Sequence, residues 1–232
     1  MMTRLAGLLA GLLVVGAADL AAQTTVDEGT FRLLTDGRET ATETFSIRQR
    51  GEGAEAVIIA RGRIVYRDGA QKELTTTLQV SGDALRPSAY DLKVEGEDAQ
   101  QILARMSGTR FSARVVSASG ERAREYLVSE GALVAEEGVA HHHYFVVSRA
   151  RAGATVRVPV IVPLEGRQVW ATVTSGAEET IQVAGQPVSA RRLTVSFENA
   201  DERRVWIDTE GRVLRLEIPA RSIVAERTAL PQ

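Results

Sequence analysis

Apolar and polar residues alternate with a period of two along most of this chain. In the stretch KELTTTLQVSG, residues 72–82, the side chains of Leu74, Thr76, Leu78 and Val80 fall on one face of an extended backbone. The same spacing recurs at Phe45/Ile47, Tyr90/Leu92/Val94, Phe111/Ala113/Val115 and Leu193/Val195/Phe197. This alternation, rich in β-branched and aromatic residues, predicts a series of strands with one buried face each.

Short turn signals separate these segments. Asp36-Gly37 and Asp68-Gly69 pair an aspartate with a glycine, which accepts the positive φ that hairpin turns need. Helices of about 10–15 residues, which parallel pairing would require as crossovers, do not alternate with the strands. The sequence therefore predicts antiparallel meanders with about a dozen strands. Residues 96–108 fit either a strand or a short helix.

One segment in the middle of the chain departs from the strand pattern. Between residues 138 and 153, apolar residues and His143 recur at intervals of three to four, as on a helix. The pattern predicts a helix near 139–149, with Val139 and Phe145 directed toward the sheet. We therefore expect a mainly β protein, in which a strongly curved, half-barrel-like antiparallel sheet is wrapped around one mid-chain helix.

Residues 1–22 have the composition of a secretory signal peptide. Arg4 precedes an apolar run that ends at about Ala18, and the small residues Ala21 and Ala22 follow. We expect cleavage near Ala22 and a periplasmic or secreted mature protein. We expect no transmembrane span in it, because the run is shorter than the roughly 20 residues that a spanning helix needs. An N-terminal anchor that is never cleaved is the alternative.

Composition removes several classes of function. The chain has no cysteine, which excludes disulfides, thiolate catalysis and a lipid-modified N-terminal cysteine. Its formal net charge of −2 does not favour nucleic acid, which binds strongly basic faces. No linker rich in Pro, Ser or Gly divides residues 23–232, so we expect a single antiparallel β domain. Two small β domains are the alternative.

The only three histidines of the chain are adjacent, at His141, His142 and His143. Neighbouring side chains point about 100° apart on a helix and to opposite faces on a strand, so three in a row share no face for a metal ion. We expect one imidazole to pack inward and the others to contact solvent, with no metal, cofactor or catalytic residue. Glu136 and Glu137 are typical of the exposed end of a turn. A weak metal site or a catalytic histidine is the alternative.

The two tryptophans, Trp170 and Trp206, alternate out of phase with the apolar residues beside them. Each should therefore face the other side of its strand. Either both faces of the sheet are covered and the tryptophans are core residues, or one face lines an apolar groove for a lipid or another hydrophobic ligand. On the second interpretation, the candidate ligand-binding residues are Trp170, Trp206, Tyr144, Phe145 and His143.

The closing segment VWIDTEGRVLRLEIP, residues 205–219, predicts a hairpin that ends at Pro219. With a signal peptide, a long meander and one mid-chain helix, it resembles a group of bacterial exported domains of unknown function. That group is distantly similar to the periplasmic lipoprotein carriers LolA and LolB. The resemblance implies a half-barrel sheet around a helix, an apolar cavity and no catalytic residue. Without a cysteine, the chain lacks the lipid anchor of the LolB type.

Motifs for common chemistries are missing from the sequence. Neither the nucleophile elbow G-x-S-x-G nor the phosphate loop G-x-x-x-x-G-K-[ST] occurs. The sequence therefore favours an exported non-enzymatic module that binds a hydrophobic ligand or an envelope protein partner in the concave face of its sheet. The alternative hypothesis is an envelope hydrolase or metal-dependent enzyme that uses the histidines at 141–143.

Overall fold

The described chain is built almost entirely of β-strands. The structure, a computed structural model, describes residues 23–67, 69, 71–150 and 152–232, so the predicted signal peptide lies outside it. The strands are β1 (Thr24–Thr35), β2 (Arg38–Arg50), β3 (Val57–Tyr66), β4 (Lys72–Ser81), β5 (Arg86–Gly96), β6 (Gln100–Ser107), β7 (Arg110–Ser117), β8 (Gly120–Leu127), β9 (Leu133–Val134), β10 (Thr155–Val162), β11 (Arg167–Val183), β12 (Gln186–Phe197), β13 (Arg203–Ile207), β14 (Val213–Ile218) and β15 (Ile223–Arg227). One α-helix, α1 (His143–Val147), and the 3₁₀ turns Gly53–Glu55, Ala140–His142 and Pro219–Arg221 complete the described elements. No helix in these ranges is long and apolar enough to cross a membrane.

The strands of the described chain form one 15-stranded sheet in the order β8-β7-β6-β5-β4-β3-β2-β1-β15-β14-β13-β12-β11-β10-β9. β1 to β8 form one antiparallel meander and β10 to β15 form another. The pairing of β1 with β15 joins the two. β9 runs parallel to β10. Because β8 and β9 stand at opposite ends of this order, strand pairing does not close the sheet into a barrel.

The predicted alternation decides which side chains face the core. On β4, Leu74, Leu78 and Val80 are at most 4% exposed. The turn at Asp36-Gly37 has φ values of 50° and 74°, the positive pair that the sequence predicted for a hairpin. The ambiguous segment after β5 is a strand, β6. Alternation and turn chemistry therefore located most of the sheet correctly.

The sheet curves around the segment that joins β9 to β10. Val139, Phe145 and Val146 of this segment are fully buried and belong to the same apolar core as the inner faces of both meanders. At the far end of the segment, the Arg149 guanidinium donates to the backbone carbonyl of Ala84, in the turn between β4 and β5. The segment therefore passes through the inside of the sheet, and the predicted mainly β fold with a curved sheet around a mid-chain helix is confirmed.

The helix is shorter than the predicted 139–149. A 3₁₀ turn, Ala140–His142, leads into α1, which ends at Val147. A side chain from β2 caps its start, since the Glu43 carboxylate accepts hydrogen bonds from the first two N–H groups of the turn at 2.8 and 2.9 Å. Because the sheet surrounds the segment, no polar helical face is exposed to water. The length of the helix is therefore set by its contacts with the surrounding strands, and not by an amphipathic pattern.

Side chains bridge the gap between β8 and the turn that joins β10 to β11. Nη1 of Arg124 donates to the carbonyl oxygen of Pro163 at 3.4 Å, and Nε2 of Gln168 donates to Oγ of Ser129 at 3.4 Å. The Arg124 guanidinium lies against Gly166, where a Cβ would come within 1.9 Å of Nη1. These side-chain contacts join the β8 end of the first meander to β11 and the turn before it in the second meander.

Candidate functional site

The three adjacent histidines lie inside the sheet, and each imidazole faces a different wall. His141 stacks on Phe45 of β2, the His142 ring contacts Tyr90 of β5, and His143 bonds to β13. All three are at most 1% exposed. The expectation that only one would pack inward is wrong. Adjacency does turn the rings apart, but every direction away from this enclosed segment ends in protein.

His141 forms a buried pair with Glu43. Its Nδ1 lies 2.7 Å from Oε1 of Glu43, so the ring N–H donates to a carboxylate that already accepts two backbone N–H groups. The ring fits because residue 62 of β3 is glycine, where a Cβ would lie 2.3 Å from Cε1 of His141. Nε2 of His141 and Oγ1 of Thr76, both buried, have no hydrogen-bond partner within the described ranges.

His142 is tied to Glu136, which is buried and not at the exposed end of a turn. The backbone N–H of Glu136 donates to Nδ1 of His142 at 3.2 Å. Oε1 of Glu136 accepts from the Tyr90 hydroxyl at 3.2 Å and from the backbone N–H of Leu164 at 3.0 Å. Burial, together with the neighbouring histidines, holds the pKa of His142 well below its usual value. Burial also raises the pKa of Glu136 to about 8, against the opposing effect of these two hydrogen bonds.

His143 is held between backbone carbonyls and an arginine. Its Nδ1 lies 3.3 Å from the carbonyl oxygens of both Val139 and Ala140, so this nitrogen carries the proton. Its Nε2 accepts from Nη1 of Arg203 at 3.1 Å. Burial first, and then the positive charge of Arg203, lowers the pKa of His143 to about 3. Desolvation also lowers the pKa of Arg203 to about 10.

The histidine cluster anchors the segment and offers no evident reaction centre. His142 and His143 sit where the neutral imidazole is favoured, deep in the core. No group of three or more His, Cys, Asp or Glu side chains in the described part of the chain is arranged to hold a metal ion. The recesses described below are lined by none of the three imidazoles. The arrangement therefore fixes residues 136–147 against three walls of the sheet.

Charged side chains form a rim where this segment enters the sheet. Glu137 pairs with Arg221, and its Oε1 lies 4.0 Å from Nη2 of Arg203. Nε of Arg221 also bonds Oδ2 of Asp201 at 2.5 Å. Beside them, Arg167 pairs with Glu165 of the β10–β11 turn, and the Glu165 side chain also contacts that of Glu137. The rim thus surrounds Glu137, a partly exposed residue of the entering segment, with ion pairs.

Next to this rim lies an apolar recess of about 170 Å³. Its walls come from β1, β2, β14 and β15 on one side and from the entering segment on the other. The lining residues are Leu33, Thr35, Thr40, Ala41, Tyr66, Glu137, Gly138, Ala140, Leu216, Ile218, Arg221, Ile223 and Ala225. Most of the walls are aliphatic core residues, while Glu137 and Arg221 bring charge to the mouth. We call this the entry recess.

Two other recesses open on the same sheet. One of about 270 Å³ lies on the other side of Gly138 and Tyr66 and is lined by Glu136 and Lys72 among others. A larger one, of about 420 Å³, lies at the opposite end of the sheet, where turns and residues 128–132 form the walls. We call the latter the far recess. The entry recess differs from both in that aliphatic residues form more than half of its lining.

Comparison with known proteins identifies the fold and no family. Neither family models nor curated proteins match the sequence. Among solved structures, the chain is similar to a beta-barrel-like protein of domain of unknown function DUF1849 from Brucella abortus. The TM-score is 0.57 with 12% sequence identity, over 86% of this chain and 94% of that chain. This agrees with the resemblance to β-rich domains of unknown function, while the link to LolA and LolB is not shown.

The five predicted ligand-binding residues are not brought together. His143 and Phe145 are buried in the core, and Tyr144 is partly buried beside it. Trp206 faces away from this core, packs in a separate small cluster and donates its Nε1–H to Glu179. Trp170 is half-buried, and the centre of its ring lies 4.5 Å from Cζ of Arg157. None of the five is among the residues described as lining the entry recess.

The sequence interpretation missed the charged residues that hold the segment, although the pattern contained a signal. Glu43 occupies an inward position of β2, in phase with Ala41 and Phe45. Arg203 is similarly in phase with the buried Val205 on β13. A charged residue in the apolar phase of a strand needs a buried partner. Glu43 and Arg203 could therefore have been identified as charged residues that need a buried polar partner.

Proposed function

We propose that this protein is an exported, non-enzymatic binding module that holds an apolar ligand group in the entry recess. The observation that supports this most is an opening walled largely by aliphatic residues of the core, with charged groups at its mouth. Concave apolar sites with a few polar groups at the mouth are the usual form of small-ligand sites. Export rests on the signal peptide expected at residues 1–22, and the LolA/LolB resemblance supports an apolar ligand.

The size of the recess limits the ligand. Sites for drug-sized molecules usually measure about 300–1,000 Å³, and the entry recess has about 170 Å³. It suits one short apolar group rather than a diacyl lipid. A larger ligand would require residues 136–140 to leave the sheet, against the hydrogen bonds that the N–H groups of Ala140 and His141 donate to Glu43. The proposal therefore places a single short chain between this segment and β1, β2, β14 and β15.

Methyl NMR with 1-octanol as the probe tests this proposal on the mature protein, residues 23–232. We expect saturable shifts of the methyl signals of Leu33, Leu216 and Ile223. Thr40→Trp, at the mouth, should abolish them, whereas the matched Thr109→Trp, which lines the far recess, should leave them unchanged. Saturable shifts of methyl signals around the far recess, or of the indole signals of Trp170 and Trp206, would place the ligand elsewhere. An absence of saturable shifts would reject the proposal.

An enzymatic role for the histidines has less support. A general base or metal ligand must reach substrate, and the three imidazoles are enclosed on all sides. Their contacts are with a buried carboxylate, backbone groups and an arginine, all of which hold the segment. We therefore assign the histidines to the internal framework of the binding module.

A further inference from the structure

A buried arginine next to the entry recess is incompletely paired. Arg203 is 4% exposed, so its guanidinium has little access to water. Its Nη1 bonds a neutral imidazole, and its Nε has no partner among the described residues. Among the described residues its ion-pair partner is Glu137, whose Oε1 lies 4.0 Å from Nη2, and the charge of Glu165 also acts on it. Buried cations are normally neutralised by close, hydrogen-bonded anions.

The carboxylate nearest to Arg203 is shared with a second arginine. Glu137 pairs more closely with Arg221, and both residues line the mouth of the entry recess. Arg221 has another carboxylate in Asp201. Arg221 would therefore remain paired if Glu137 turned outward, and the Glu137 side chain, 28% exposed, lies where such a turn leads to water. An incoming anion at this position would meet two guanidinium groups and lie beside the Glu165 carboxylate, which is paired with Arg167.

We propose that the entry recess selects an apolar chain with a carboxylate head, which takes the place of Glu137 between Arg203 and Arg221. This inference deepens the proposed function and rests on it. The apolar walls accept the chain, and the two arginines supply charge-assisted hydrogen bonds to the head. The recess volume limits the chain to a short or medium length. Arg203 then gains an anion closer than the Glu137 carboxylate, which lies 4.0 Å from its Nη2.

Isothermal titration with three probes of equal chain length tests the head group. Octanoate, 1-octanol and octylammonium are titrated into the mature protein at neutral pH and low salt. We expect octanoate to bind at least tenfold more tightly than 1-octanol, and octylammonium to bind most weakly. Equal affinities for octanoate and 1-octanol would overturn the carboxylate selectivity and leave the apolar site intact. No binding of any probe would overturn both proposals.

Two variants separate charge recognition from loss of structure. Glu137→Gln removes the competing carboxylate, so we expect octanoate affinity to rise several-fold while 1-octanol affinity stays the same. Arg221→Gln should weaken octanoate several-fold with no effect on 1-octanol. The matched control Arg191→Gln removes an exposed arginine that pairs with Glu178 away from the recess, and it should change neither. Unchanged octanoate binding in both test variants would contradict the proposal.

Discussion

At the scale of single residues, the histidine segment depends on one missing side chain as much as on those present. Gly62 lies in the middle of β3, where a glycine usually weakens a strand. Here the missing side chain makes room for the His141 ring, which lies where a Cβ would be. Glycine at this position and histidine at 141 are therefore parts of one contact between the sheet and the segment inside it.

This contact can be measured by a double-mutant cycle. Gly62→Ala should lower the free energy of unfolding by about 1–3 kcal/mol, the usual cost of forcing extra volume into a packed core. In a His141→Ala background the added methyl group has room, so its cost should fall by most of that amount. Urea unfolding of the four proteins gives the coupling. Equal costs in both backgrounds would show that the His141 ring does not occupy this space.

At the scale of elements, the sequence predicted strands better than the buried helix. Alternation and hairpin turns are properties of neighbouring residues, so β4 and the turn at Asp36-Gly37 could be read directly. The length of the helix could not be predicted in this way, because its cap comes from Glu43, 97 positions away from Ala140. The burial of all three histidines likewise depends on walls contributed by β2, β5 and β13. Local periodicity contains no information about such distant partners.

The distant cap predicts a local change in hydrogen exchange. The amides of Ala140 and His141 should be protected to the same extent as those of β2 and β3, because both donate to the buried carboxylate of Glu43. Glu43→Gln keeps the size but replaces one acceptor with an NH₂ group. It should reduce protection of these two amides about 10–100-fold, corresponding to about 1–3 kcal/mol for an unpaired buried donor.

The matched control for this exchange experiment lies on the same strand. Glu39 is exposed and pairs with Arg67 at the surface, so Glu39→Gln should leave the amides of residues 140 and 141 unchanged. If Glu43→Gln also left them unchanged, Glu43 would not be the cap of the segment. A loss of protection spread evenly over β2 and β3 would instead indicate general destabilisation.

At the scale of the whole molecule, buried ionisable groups oppose each other as pH changes. Glu136 has its pKa raised from 4.5 to about 8, so its contribution to stability is complete below about pH 4.5 and is lost as pH rises to 8. His143 has its pKa lowered from 6.5 to about 3, so its contribution is complete above 6.5 and is lost as pH falls. The pKa of His142 is lowered from 6.5 in the same direction.

These opposing trends predict a maximum of stability near pH 6.5. Each group changes the free energy of unfolding by about 1.4 kcal/mol per pH unit within its window. Between pH 8 and 6.5 Glu136 alone of the three titrates, so stability should rise as the pH is lowered. Below 6.5 the two histidines together outweigh Glu136, and stability should fall as the pH is lowered further. Urea unfolding at half-unit steps from pH 5 to 8.5 measures both slopes.

Two variants assign the slopes to their groups. Glu136→Gln cannot titrate, so the loss of stability between pH 6.5 and 8 should disappear in this variant while the acid side becomes steeper. His142→Asn should flatten the acid side and leave the alkaline side as it was. A wild-type protein whose stability falls steadily from pH 5 to 8 would contradict the neutral, buried state of the histidines. The interior of this sheet would then have to admit charge and water, and the segment would be a movable plug rather than part of the fixed core.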